Sequence, residues 1–244
     1  MKLNAMIFMS LLITLSLPVS GLGQTPVKIY TGNFGAGFAL TGGNTDTKSF
    51  NLSFEAARDP KTKNLMKANG LYLRSSANDQ TNTDLLRLNF RDDYLLSKRV
   101  TVYGALGYLR DPFKEISYLL NPQGGIGLTA YSSDRAVLSF SAGAGVAWEK
   151  DEGFAVHSRG TLNGSQSFSY KLSGTSRLTQ NLTVMRKTQG LLDALCHFDI
   201  ALITSVIKKV DVKIQFMDEY KNRTPSATIK KNDTALITSL LFKF

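Results

Sequence analysis

Apolar and polar residues alternate along most of this chain with a period of two. From Leu138 the even positions read Leu138, Phe140, Ala142, Ala144, Val146 and Trp148, and the odd positions between them Ser139, Ser141, Gly143, Gly145 and Ala147. Successive side chains of an extended strand point to opposite faces, so this stretch predicts a strand with one apolar face and one face of small and polar groups. Its length is about that of a tilted strand crossing a bilayer, roughly 9–11 residues. The pattern recurs in Phe34–Leu40, Phe50–Ala56, Leu86–Phe90, Val100–Tyr108, Val210–Phe216 and Leu236–Phe244. One such strand would fit an ordinary sandwich. This many, with almost no helical periodicity, predict an all-β chain. Met66–Tyr72, Ile126–Tyr131, Leu162–Tyr170, Leu178–Val184 and Phe198–Val206 alternate poorly but are strand-like. With them the expected fold is a single antiparallel transmembrane β-barrel of about twelve strands.

The connections fit that count. Those after the even-numbered strands are short: Asp59–Asn64, Ser97–Arg99, Ser132–Asp134, Leu172–Gly174 and Lys208–Lys209. The others read as longer and polar, notably Ala77–Asn82, Asp111–Leu120, Lys150–Arg159 and Asn222–Asn232. Bacterial barrels place short turns in the periplasm and longer loops outside, which puts both ends of this barrel in the periplasm. The expected location is therefore the outer membrane of a Gram-negative-type bacterium.

The first residues agree. Lys2 and the apolar run Ala5–Leu17, broken by Pro18 and followed by Gly21 and Gly23, have the form of a signal peptide. Residues 1–23 are expected to be removed, leaving 24–244 as the barrel. The single cysteine, Cys196, excludes an internal disulfide and a cysteine metal cluster. The net charge of +10 would suggest nucleic acid in a cytosolic chain. Behind a signal peptide, with no basic helix, it fits lipopolysaccharide phosphates or a positive lumen better. No nucleic-acid partner is expected.

If the apolar positions face lipid, Glu55, Lys67, Arg87, Arg91, Asp93, Asp211, Lys213, Glu219 and Lys243 face the lumen. Mixed signs on neighbouring strands fit either a salt-bridged interior or the lining of a narrow pore. The last strand carries Leu236, Leu240, Phe242 and Phe244 on one face. An aromatic closing an amphipathic strand resembles the assembly signal of outer-membrane proteins, with Leu240, Phe242 and Phe244 as the residues that the barrel assembly machinery reads.

The hairpin Leu40-Thr41-Gly42-Gly43-Asn44-Thr45-Asp46-Thr47 resembles the hallmark of the salt-induced outer-membrane proteins, a family of unknown function. Arg91-Asp92-Asp93-Tyr94, Tyr108–Phe113, Pro122–Gly127 and Asp233-Thr234 follow in the same order, and the resemblance spans Gly32–Phe244. It implies an outer-membrane barrel and supplies no activity. Physically, Gly42, Gly43 and Asn44 suit the positive φ of a tight reversal, and Asp46 can bond local backbone. A turn that sets register is the preferred role for Gly42, Gly43, Asn44, Thr45 and Asp46; ligand or cation binding by Asn44 and Asp46 is the alternative.

Candidate chemistry is sparse. His157-Ser158-Arg159-Gly160 invites comparison with outer-membrane phospholipases, but their longer histidine signature is missing. His157 is expected in or beside a polar loop, and His197 at a loop rim or interface. The pairs Asp92–Asp93, Asp151–Glu152 and Asp218–Glu219 are adjacent, so within a strand their members point to opposite faces and cannot act together. Gly35, Gly37, Gly124, Gly125, Gly127, Gly143 and Gly145 precede no helix, so they form no phosphate loop and are expected on the inward face or at bends. No catalytic, cofactor or metal residues are expected. The leading expectation is a narrow porin-like channel for small, anionic solutes. The alternatives are a closed barrel binding envelope components through its loops, with outer-membrane lipid and lipopolysaccharide as partners, and an outer-membrane lipid hydrolase.

Overall fold

A computed structural model describes residues 29–41, 47–60, 62–151, 153–189, 193–223 and 231–244. The signal segment expected over residues 1–23 and the hairpin residues Gly42, Gly43, Asn44, Thr45 and Asp46 lie outside the described residues.

The period-two segments form twelve strands. These are β1 (Tyr30–Thr41), β2 (Thr47–Arg58), β3 (Asn64–Ala77), β4 (Gln80–Leu95), β5 (Val100–Asp111) and β6 (Ile116–Ser132), then β7 (Ala136–Asp151), β8 (His157–Lys171), β9 (Ser176–Lys187), β10 (Ala194–Ile207), β11 (Val210–Lys221) and β12 (Asn232–Lys243). Each pairs antiparallel with the next, and β1 pairs with β12, closing the barrel. Closure removes the sheet edges that would otherwise leave backbone groups unpaired. The expected fold and strand number are those observed.

Alternation sets the two faces. Outward side chains are apolar and bare: Phe38, Ile126 and Leu236 are 65%, 61% and 76% exposed. This is the reverse of a soluble β-protein, and it matches a barrel with a lipid-facing apolar band. Outward aromatics stand near both rims. Tyr30, Tyr94 and Tyr131 lie beside the short turns, and Tyr108, Trp148 and Tyr220 lie toward the other end. Such paired aromatic girdles mark the two interfaces of membrane barrels. Two glutamines stand within the band, and each satisfies the other: Gln166 Nε2 donates to Gln180 Oε1 at 2.8 Å, and Gln180 Nε2 to Gln166 Oε1 at 2.9 Å.

One end, here the turn end, carries connections 59–63, 96–99, 133–135, 172–175 and 208–209. The opposite, loop end differs from expectation in three places. The segment Ala77–Asn82 is a two-residue reversal at Asn78 (φ 50°) and Asp79 (φ 59°), the mirror-image turn that suits the twist of a hairpin. A hydrogen bond and the charge of Lys48, 2.7 Å away, hold the Asp79 carboxyl below its ordinary range. In Asp111–Leu120 only a 3-10 turn, Pro112–Lys114, and Glu115 interrupt the strands. Across Lys150–Arg159, β7 runs to Asp151 and β8 resumes at His157. Asp151 and Arg159 there are strand residues facing inward, and polarity had made them look like loops.

The poorly alternating segments have a physical cause. In β3, Leu71 and Leu73 face inward while Tyr72 faces out, and in β10 Ala201 and Ile203 are buried inside. Where part of the lumen is itself apolar, both faces of a strand are apolar and the period blurs. Irregular pairing adds to this: register shifts between Leu109 and Asp111 and between Ile116 and Tyr118 turn Ile116 inward, where it is 0% exposed. Among the glycines, Gly125 faces Gly143 across the β6–β7 ladder, and a Cβ there would meet the Ala142 carbonyl at 2.2 Å. Gly124 lies on the outward face instead of the inward one.

Candidate functional site

The lumen has two storeys. Toward the loop end, side chains fill it. Leu85, Leu109, Ile116 and Leu119 form a buried cluster with Leu71, Met185 and Leu195 packed against it. Around this cluster runs a crown of charges. Arg87 contacts Glu219 at 2.6 Å. His197 meets Glu219 at 2.5 Å through Nδ1 and Asp199 at 3.1 Å through Nε2. Lys187 bonds both Glu149 and Asp193, the latter at 2.9 Å. Lys221 lies 3.8 Å from Glu149 and from Asp151. Charges this deep are tolerable only when paired, because each loses several kcal/mol of hydration, roughly, on leaving water.

The 3-10 turn between β5 and β6 locks the crown. Its Lys114, 1% exposed, reaches into the mouth; Nζ donates to the Glu219 carbonyl at 2.5 Å and the Lys231 carbonyl at 3.4 Å, and pairs with Asp233 at 3.4 Å.

Beneath lies a cavity of about 860 Å³ reaching toward the turn end. Its ceiling includes Leu109, Leu119 and Asn121, whose amide donates to Val146 O and Thr161 Oγ1 at 3.1 and 3.0 Å. Amides and hydroxyls make much of the wall, among them Asn69, Asn89, Gln123, Asn163, Ser165 and Thr179. The cations Lys67, Arg87, Arg91, Arg177, Lys213 and Lys243 outnumber the carboxylates Glu55, Asp199 and Asp211 in the lining. Arg91 pairs with the buried Asp93 at 2.8 Å and stacks over the Tyr103 ring at 3.7 Å. Lys67 approaches Asp93 and Lys213 approaches Glu55, each at 3.7 Å, and Lys243 holds Asp211 at 2.5 Å.

Thus Glu55, Lys67, Arg91, Asp93, Asp211, Lys213 and Lys243 meet around the cavity, whereas Arg87 and Glu219 join the crown. Sequence reasoning passed over Lys114, Glu149, Lys187, Asp199 and Lys221. Four of these were accessible to it: Glu149 continues the inward parity of Ser139–Ala147, as do Lys187, Asp199 and Lys221 on their own strands. Lys114 sits in a turn, where parity says nothing. His197 was expected at a rim and is instead inside, between two carboxylates. His157 begins β8, with its Nε2 3.5 Å from Glu149. Ser158 follows it directly and so points to the opposite face. Ligand-type atoms of Glu149, Asp151 and His157 come within 4.8 Å of one another. Lys187 and Lys221 already supply those carboxylates with positive charge.

Leu240, Phe242 and Phe244 line the outward face at the seam between β12 and β1. The Phe244 ring packs on Phe34, with centroids 5.6 Å apart, and its backbone N–H donates to Gly32 O at 3.1 Å.

Solved structures share this architecture. An outer-membrane channel from Pseudomonas putida F1 superposes over 94% of this chain and 100% of its own, with a TM-score of 0.52 at 11% identity. The NanC porin covers 87% of this chain and 97% of its own at 8% identity and a TM-score of 0.48. The KdgM porin covers 88% and 99% at 7% identity and 0.47. No curated protein matches the chain in sequence. A family model described as "Protein of unknown function, DUF481" matches residues 34–244, and the chain belongs to that family.

Proposed function

We propose that this chain is a bacterial outer-membrane channel for small hydrophilic solutes with a preference for anions, held closed at its loop end by the crown. The observation that carries this reading is the cavity of about 860 Å³, whose wall of amides and hydroxyls holds more cations than carboxylates. Amides and hydroxyls can replace a solute's hydration shell, and an excess of fixed cations lowers the barrier for an anion and raises it for a cation. The compact turns 96–99, 133–135 and 208–209 are read as periplasmic, and the crown at the opposite end then faces outward. Lipid and lipopolysaccharide would then contact the apolar band and outer rim. No catalytic role is assigned: both ring nitrogens of His197 are engaged by carboxylates, Glu219 and Asp199.

The crown itself favours a second reading, a closed barrel that acts through its loops. Planar-bilayer recording separates the two. The channel reading expects discrete conductance steps and an anion-selective reversal potential in a salt gradient. Lys67→Glu combined with Arg177→Glu should swing that potential toward cations; both residues are exposed, so the fold should tolerate the exchange. Silence at all voltages, in the wild type and in crown variants alike, would leave the closed barrel standing.

A further inference from the structure

The seam between β1 and β12 differs from every other junction in the barrel. Its backbone ladder runs only from Asn33–Lys243 to Ala36–Leu240. Toward the other neighbours both strands stay paired much further: β1 with β2 to Thr41, and β12 with β11 to Asn232. Above Ala36 and Leu240, therefore, Gly37–Thr41 and Asn232–Ser239 face each other without a ladder. What holds them is a side-chain latch. Ser239 Oγ donates to Asn51 Oδ1 at 2.7 Å, bridging from β12 to β2 across Gly37. A Cβ on Gly37 would lie 2.4 Å from the Asn51 amide and 2.1 Å from Thr238 O, so the latch depends on that glycine.

Apart from the latch residues Ser239 and Asn51 and the nearby Asn33, the seam carries apolar groups on both sides. Inside lies the buried cluster Leu73, Met217 and Ile237, with Leu71 and Ala235 against it, where much of the lumen is polar. Outside, next to the paired part of the seam, a groove of about 310 Å³ is walled by Phe34, Leu52, Phe54, Leu88 and Phe242. Its floor is Gly70, where a Cβ would meet Phe54 at 2.3 Å and Leu88 at 2.8 Å. Water has little to gain in a groove with almost no polar atoms in its wall, and hydrocarbon fills it at no dehydration cost.

We infer that the upper β1–β12 seam is a lateral portal that admits a single acyl chain from the bilayer, lodging in the outer groove and reaching Ile237 and Leu73 when the latch opens. This goes beyond conduction along the barrel axis, and its test needs no current. In a Cys196→Ser background, Ile237→Cys and Leu85→Cys each place a thiol at a lumen position 4% exposed in the wild type, the first behind the seam and the second far from it. The proteins are reconstituted in vesicles of phosphatidylethanolamine and phosphatidylglycerol and exposed to a maleimide carried on a long alkyl chain. The portal expects Ile237→Cys to react at least about tenfold faster than Leu85→Cys, because local opening at a part-paired seam is easier than at a full ladder. Adding Asn51→Ala should raise the Ile237→Cys rate about fivefold, the effect of one lost buried hydrogen bond, and leave Leu85→Cys alone. A seam covered by a second copy would protect Ile237→Cys and appear as a crosslinked dimer, which would overturn the proposal. Equal rates at the two positions would overturn it too.

Discussion

Replacing Glu219 by Ala should cost the barrel about 3–5 kcal/mol, the penalty typical of stripping one partner from a buried ion pair. Glu219 is 2% exposed and receives Arg87 at 2.6 Å and His197 at 2.5 Å. Without it, Arg87 keeps its charge in a place with little water, and His197 loses one of two acceptors. Glu219→Gln, which keeps an acceptor but no charge, should cost less. Urea unfolding in lipid vesicles, followed by the fluorescence of the single tryptophan, Trp148, and by gel mobility, measures both. A loss below about 1 kcal/mol for Glu219→Ala would place it among exposed salt bridges and remove it from the crown's framework.

Lys114→Ala should raise the open probability of single channels about 10- to 100-fold, since hydrogen bonds to a charged group contribute roughly 1.5–3 kcal/mol each. The Lys114 ammonium ties the 3-10 turn to β11 through Glu219 O and to the start of β12 through Asp233. The closed state alone makes those contacts if the turn swings away on opening, so their loss shifts the balance in one direction. Lys114→Arg keeps charge and donors and should behave nearly as wild type. Continued silence of Lys114→Ala would mean that Leu85, Leu109, Ile116 and Leu119 seal the barrel unaided.

Strand identity and number were legible because a lipid-facing surface must be apolar at every second residue, a demand that leaves a mark on each strand separately. The same parity placed Glu55, Arg87 and Asp211 opposite the apolar residues of their strands. It could not say which charges meet. Arg87 and Glu219 lie 132 residues apart and find each other because β4 and β11 face across the lumen; alternation records a face, not a height or an azimuth. Strand ends were misjudged where the lumen is most charged, as at Asp151 and His157, because a polar strand and a polar loop share a composition. Ile116 was read as part of a loop because it follows the charged turn, and the irregular pairing on either side of that turn leaves no continuous parity to reveal it.

The two glutamines in the apolar band carry a consequence for how this chain can change over generations. Leu in place of Gln166 alone would leave the Gln180 amide without a partner in hydrocarbon, whereas Leu at both positions removes donors and acceptors together. The single steps lie in a valley and the double step does not. In related sequences the positions of Gln166 and Gln180 should therefore covary, both amide or both aliphatic, with mixed pairs rare.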